Sequence, residues 1–232
     1  SDPEAFDELL SSRLLVRHTN GLVYGSGLQF MTPHVGMDTR LDLVPFPPVG
    51  RSSDATFRCA LSAVAPELLT VHLPFAVRHG PPELRRVSVE SYRRIGPRVT
   101  DLIIAVLVGV SREAHRPAGH RAVGRRLASI ADETSFRAEV SGRWIEGMSE
   151  YCRRGWELLR RYGSRPEPWA AFAKAHLEAV EEHLVSADVA PTDLPGHVDT
   201  RWESARRFLA GYGELVAEWP TMMAVARTLS PG

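Results

Sequence analysis

The chain has 232 residues and no net charge, because 28 basic side chains balance 28 acidic ones, and 44% of its residues are hydrophobic. These values are typical of a globular protein, so we expect residues 1–232 to form a single domain. A neutral chain has no overall attraction for nucleic acid or for an anionic membrane, and neither is an expected partner. Lys174 is the only lysine, and its predicted solvent-facing position disfavours enzymes with a lysine-bound cofactor.

The first hundred residues are rich in Gly and Pro and carry short β-like runs. After a helical turn over 3–10, the pair Asn20-Gly21 is typical of a type I′ turn and predicts a β-hairpin between 13–18 and 22–25. Alternating residues predict a strand over 40–44, which the breaker Pro45-Phe-Pro-Pro48 ends. A helix over 56–64 and a strand over 68–75 follow.

Residues 101–229 predict successive amphipathic helices. Thr100 is the expected cap of a helix over 101–112, and Pro117 begins one that buries Val123, Leu127 and Ile130 on one face. A long helix follows over 135–162, in which Gly155 predicts close packing of a neighbour. Two capping boxes begin the last helices, Ser164-x-x-Glu167 and Thr200-x-x-Glu203, and Pro220 is expected to interrupt the second.

The predicted fold is therefore α+β. A small, irregular antiparallel sheet from the first hundred residues or so packs on a C-terminal bundle of five or six helices. The 1–100 half is the β-rich part and the 101–232 half the helical part.

Cysteine content and the start of the chain predict the compartment. Cys59 and Cys152 are the only cysteines and lie far apart, which favours reduced, buried thiols over a single disulfide. The chain shows no signal-peptide pattern, and its longest apolar run, 102–110, is too short to span a bilayer. We expect a cytoplasmic protein.

Four residues are candidate proton-transfer groups. His18 and Tyr24 flank the predicted turn and can face each other across the hairpin as an acid–base pair near neutral pH. His34 belongs to the same polar cluster, and His72 can point from an apolar strand into a pocket. An ordinary exposed hairpin and a core histidine are the alternatives.

A second group of residues is suited to holding a substrate. Guanidinium groups bind carboxylate or phosphate in bidentate fashion, so Arg78, Arg93 and Arg94 are candidate anchors for an anionic substrate. Gln29 is a candidate contact, and Trp144 can hold a flat ligand together with Met148 and Trp156. Surface ion pairs and ordinary core packing are the alternatives.

The histidine spacing favours no metal site. The chain has no HxH or HExxH pattern, so we predict no metal and no cofactor. A haem with one histidine ligand, His176 or His72, is the alternative.

The segment Glu157-Leu-Leu-Arg-Arg-Tyr-Gly163 resembles the E-x-x-RYGG signature of the C-terminal domain of lantibiotic dehydratases, to which thiopeptide cyclases are similar. The resemblance covers seven residues at the end of a predicted helix, and Ser164 occupies the position of the second glycine. It implies a link to peptide natural products, without an assignment to the family.

Our first hypothesis is a tailoring enzyme of specialised, and by the resemblance peptide natural-product, metabolism. It would carry out acid–base elimination or cyclisation on an anionic small molecule or peptide. The alternative is a non-enzymatic helical module that binds a partner or forms a homodimer through the Trp202–Trp219 helix.

Overall fold

The structure is a computed structural model that describes residues 4, 20–25, 36–38, 43–48, 52–74, 96–113, 119–162, 167–186 and 189–229. These residues form two strands and six helices. The strands are β1 (Val23–Gly25) and β2 (Thr70–His72), and the helices are α1 (Ser53–Val64), α2 (Val99–Glu113), α3 (Gly119–Asp132), α4 (Phe136–Tyr162), α5 (Glu167–Ser186) and α6 (Val198–Leu229). The predicted α+β class is confirmed.

The chain divides into two compact units. The larger unit comprises Leu22–His72, Pro97–Trp144 and Val189–Gly232, and the smaller unit comprises Ser1–Gly21, Leu73–Gly96 and Ile145–Asp188. The expectation of a single domain stays a prediction. Within the described ranges, no helix combines the length and the apolar character needed to cross a bilayer.

The larger unit is organised by a close crossing of α3 and α6. A Cβ atom added at Gly213 would lie 2.7 Å from the carbonyl oxygen of Gly124, and one added at Gly124 would meet the carbonyl oxygen of Gly213. The two backbones are therefore in direct contact, which only glycine permits. The prediction that α3 buries one face is confirmed, because Val123, Leu127 and Ile130 are buried. Helix α6 packs against α3 with buried side chains of its own, Leu209, Tyr212 and Val216.

The predicted cap of α2 is wrong. Thr100 lies inside the helix, which begins at Val99, and its side chain is fully buried. Two carboxylates satisfy the first backbone groups instead: the N–H of Val99 donates to Asp193 and that of Arg98 to Asp101, both at 2.9 Å. Asp193 comes from a segment far along the chain, so local sequence could not identify this cap.

Two expectations for α6 are also wrong. The helix begins at Val198, so Thr200 and Glu203 are inside it, and Glu203 accepts a hydrogen bond from Arg207 at 3.0 Å. Pro220 does not interrupt the helix, which continues to Leu229. A proline removes its own N–H from the ladder and crowds the carbonyl four residues before it, which can kink a helix without ending it.

The smaller unit contains the second part of α4 and the whole of α5. Its core consists of Cys152 from α4 and Leu177 and Val180 from α5. The close packing predicted at Gly155 is confirmed, because a Cβ there would lie 2.6 Å from Cδ2 of Leu177. Both cysteines are free; Cys152 is buried and Cys59 is half-buried.

In the N-terminal half, the helix expected over 56–64 and the strand expected over 68–75 are present as α1 and β2. Strand β1 pairs antiparallel with β2, while residues 13–18, its predicted hairpin partner, lie outside the described residues. Leu43 and Val44 are not in a strand, contrary to the expectation for 40–44. Their segment has neither helix nor strand and is held by side chains, as described below.

The glycine crossing predicts opposite effects for two neighbouring substitutions in α6. Gly213→Ala places a methyl group against the backbone of α3 and should lower the free energy of unfolding by about 1–3 kcal/mol. Gly211→Ala faces open space and should raise it by about 0.5–1 kcal/mol through helix propensity. Urea denaturation followed by circular dichroism measures both, and equal effects would contradict a backbone contact at Gly213.

Candidate functional site

Most of the predicted site residues cannot be placed. His18, Gln29, His34, Arg78, Arg93 and Arg94 lie outside the described residues. The structure describes the other three predicted site residues, Tyr24, His72 and Trp144.

The sheet sets the relation between Tyr24 and His72. Tyr24 is directly opposite Val71, and His72 is directly opposite Val23. Side chains of directly opposed residues share a face of the sheet, and successive residues alternate between faces. Tyr24 and His72 therefore lie on opposite faces, and the sheet does not bring them together for proton transfer.

The face of the sheet that carries Tyr24 is apolar and exposed. Leu22 precedes β1 and Leu69 precedes β2, so by alternation both lie on the same side as Tyr24 and Val71. The exposed fractions are 57% for Leu22, 65% for Tyr24, 64% for Leu69 and 44% for Val71. We call these four residues the sheet face. Monomeric proteins rarely expose large contiguous apolar patches.

Trp144 and its predicted companions, Met148 and Trp156, belong to different units of the chain. Trp144 is only 6% exposed. Met148 and Trp156 pack against the core of the smaller unit, and the indole N–H of Trp156 donates to Glu181 at 2.8 Å. A small cavity lies in the larger unit, but its lining side chains are wholly apolar, so none of them can move a proton.

His176, a candidate haem ligand, lies in an aromatic setting on α5. Its ring is parallel to Phe172 with centroids 6.4 Å apart, and Tyr151 meets it edge-on at 6.0 Å. Its Nδ1 is buried and makes no hydrogen bond, whereas haem-ligating histidines usually donate from that nitrogen. Among the described residues, no three or more His, Cys, Asp or Glu side chains converge as a metal site would require.

Two arginines of the larger unit, Arg126 and Arg143, are engaged with carboxylates. Arg126 of α3 contacts Glu133 at 3.2 Å and Glu113 at 3.7 Å. Arg143 of α4 binds Glu113 at 2.6 Å and Glu139 at 2.7 Å, and its side chain is only 16% exposed. The hydrogen bond from Arg143 is the main reason that the pKa of Glu113 lies below its usual value. These charges link helices and are not free to hold an anion.

A feature that the sequence reasoning missed is the segment Leu43–Pro48, which we call the strap. It lies in the larger unit without helix or strand and is held by three helices. The carbonyl of Leu43 accepts a hydrogen bond from Nε2 of His120 on α3 at 3.2 Å, and that of Pro45 accepts one from the hydroxyl of Tyr212 on α6 at 3.0 Å. Phe46 stacks on Phe57 of α1, with centroids 4.1 Å apart and planes at 9°.

The sequence of the strap fixes its backbone before it packs. Pro45, Pro47 and Pro48 each have a fixed φ, and a residue that precedes a proline is restricted to extended conformations. Every residue from Val44 to Pro48 is a proline or precedes one. The backbone of the whole run is therefore restricted in this way. Val44, Pro45 and Pro47 are buried, while Phe46 and Pro48 are exposed. The proline run identified this segment as a breaker but gave no sign that distant side chains hold its carbonyls.

Burial keeps the phenol of Tyr212 suited to its role as a donor. Its side chain is fully buried in the larger unit, and desolvation raises its pKa above the usual range of tyrosine, with a smaller contribution from Cys59. The hydroxyl therefore stays protonated at physiological pH and donates to Pro45.

Comparison with known proteins adds no assignment. No protein-family model matches the chain, and no curated protein or solved structure matches it. The segment resembling the dehydratase signature also departs from its spacing: three residues separate Glu157 from Arg161, where the signature has two. Glu157 through Tyr162 lies within helix α4, and Glu157 is paired with Arg153.

The setting of His176 predicts a pH dependence. Desolvation lowers the pKa of its imidazole from 6.5, so the unfolded chain takes up a proton first as the pH falls. The free energy of unfolding should therefore decrease between pH 7.5 and 5.5, and His176→Phe, which keeps a stacked ring but cannot titrate, should lose less. Urea denaturation of both proteins at the two pH values measures the difference, and equal losses would contradict the prediction.

Proposed function

We propose that this protein is a non-enzymatic interaction module that forms a homodimer through the sheet face. The observation that carries the proposal is the cluster of four large apolar side chains, Leu22, Tyr24, Leu69 and Val71, exposed together on one side of the sheet. Burial of apolar surface stabilises association by about 25 cal/mol per Å² removed from water, before the entropic cost of binding.

The small size of the sheet, as far as the described residues form it, gives a physical reason for a partner. Its two strands have three residues each, and a two-stranded sheet is only marginally stable in water unless something packs on it. A second copy supplies an apolar surface of the same chemistry, so no charge is desolvated when the two faces meet. The chain has no net charge, and long-range repulsion between copies is therefore weak near neutral pH.

The dimerisation helix expected from the sequence supports the interaction role only in part. Trp202 is buried in the core, where Phe136 meets it edge-on at 5.9 Å. The exposed apolar residues of α6 lie beyond Trp219 instead, at Met222, Val225 and Leu229. Their spacing of three and four residues is typical of a helix face that packs on another helix. This end of α6 is a secondary candidate surface.

The two faces of the sheet provide a matched pair of substitutions. Val71→Asp places a carboxylate on the sheet face and should abolish self-association. Val23→Asp places the same charge on the opposite face at nearly equal exposure, 45% against 44%, and should leave self-association within about twofold, because a solvated rim charge changes affinity little. Sedimentation equilibrium over a range of concentrations measures both.

Circular dichroism of the two variants provides the folding control. A wild-type protein that stays monomeric throughout the concentration range would contradict the proposal. So would a dimer that Val23→Asp and Val71→Asp weaken equally.

A second candidate function is the tailoring enzyme acting on an anionic small molecule or peptide. One observation favours it: the pairing of β1 with β2 places two candidate proton-transfer residues, Tyr24 and His72, on adjacent strands. These two residues are far apart in sequence but lie in the same small sheet. In this reading Tyr24 and His72 would serve the reaction from different sides or with other residues as their partners.

The enzyme hypothesis predicts anion binding through its arginine anchors. Citrate, succinate and short acidic peptides should raise the melting temperature of the wild-type protein, because a ligand that binds only the folded state stabilises it. The double variant Arg93→Ala/Arg94→Ala should lose that shift, whereas Arg153→Ala/Arg154→Ala, two exposed arginines on α4 paired with Glu150, should keep it. Equal shifts in both double variants would remove the assigned anchors.

A further inference from the structure

We infer that the groove beneath the strap is a binding site for a proline-rich peptide of a partner protein, and that the strap occupies this site in cis. The groove is formed by Phe57 of α1, His120 of α3 and Tyr212 of α6, which hold the strap through a ring stack and two hydrogen bonds. The inference does not depend on the dimer proposed above.

The polar contacts in the groove are those that a proline-rich ligand needs. Prolines have no backbone N–H, so such a segment offers mainly carbonyl oxygens for hydrogen bonding. The groove supplies two side-chain donors, which reach the carbonyls of residues 43 and 45. Both donors come from helices remote in sequence from the strap, so the same contacts are available to a peptide that belongs to another chain.

The apolar contacts define the order of side chains that the groove accepts. Val44, Pro45 and Pro47 are buried, and Phe46 stacks on Phe57 while remaining partly exposed. The recognised sequence is therefore an aliphatic residue followed by Pro, an aromatic residue and Pro. Such a peptide is already extended in solution and loses little conformational entropy on binding, which is how aromatic grooves recognise polyproline II segments.

Occupation in cis makes the strap a competitor for any external peptide. A tethered segment has an effective concentration in the millimolar range, so a partner must displace it to bind. The wild-type protein should consequently bind an external peptide weakly, and a chain with a weakened strap should bind it tightly. This difference separates a ligand site from an ordinary part of the core.

The test uses the full chain and a fluorescein-labelled peptide of sequence LVPFPP, with binding followed by fluorescence anisotropy. The double variant Val44→Asp/Phe46→Ala weakens the strap without changing any groove residue, and it should bind the peptide about tenfold or more tighter than wild type. Adding Tyr212→Phe to that variant removes one donor and should weaken binding about fivefold. A peptide carrying the F46A change loses the ring stack and is the negative control.

Urea denaturation shows whether the double variant is folded. If it is not, Phe46→Ala alone, which removes only the stack of a partly exposed ring, replaces it in the same assay. Failure of a folded strap variant to bind the peptide more tightly than wild type would overturn the inference, as would binding insensitive to Tyr212→Phe.

One further outcome would overturn the inference, and it can be distinguished from dimerisation through the sheet face. A dimer that persists in Val71→Asp but dissociates in Phe46→Ala would mean that the strap of a second copy fills the groove, so that the natural occupant is not a separate partner.

Discussion

The contact between Gly124 and Gly213 is the constraint on which the larger unit depends. Where two helix backbones touch, the separation of the helices is fixed by atoms that have no rotamers and cannot adjust. Alanines one turn further on, Ala128 and Ala217, continue the close approach, since their backbone amides also border the crossing. His120 lies one turn before Gly124, and Tyr212 is adjacent to Gly213. The crossing therefore sets the distance between the two donors that hold the strap.

A second device joins α2, α3 and α4 through charge. The guanidinium of Arg143 lies across Gly109, where an added Cβ would be 2.8 Å from its Cζ, and reaches Glu113 one turn further along α2. Arg126 approaches the same carboxylate from α3. The arginine-rich composition thus has a structural use here, because a planar fork can bridge two carboxylates while its partly buried stem packs against a helix. Such pairs fix the register between helices more than they add stability.

Sequence periodicity predicted the helices because each buries one stripe, and the stripe is visible in local spacing. The buried face of α3 and the close packing at Gly155 could be predicted for that reason. Two of the wrong expectations concern helix starts: Thr100 and Thr200 have the residue type of caps, yet the helices begin before them. For α2, Asp101 accepts a hydrogen bond locally from the N–H of Arg98, but the N–H of Val99 donates to Asp193, which is 94 residues away in the chain. Local propensity contains no information about such a partner.

The candidate sites show the same division between local and long-range information. Tyr24 and His72 could be chosen as candidates from their residue types alone. The face of the sheet on which each lies depends on the register between β1 and β2, which are far apart in sequence, and no local pattern specifies that register. The proline run was visible as a breaker, since the restriction on its backbone is local. Its role as a bound segment requires Phe57, His120 and Tyr212 to converge, and that convergence depends on the glycine crossing. The conformation of the strap is determined locally, and side chains distant in sequence hold it in place. These are the physical properties of a ligand that is carried within its own chain.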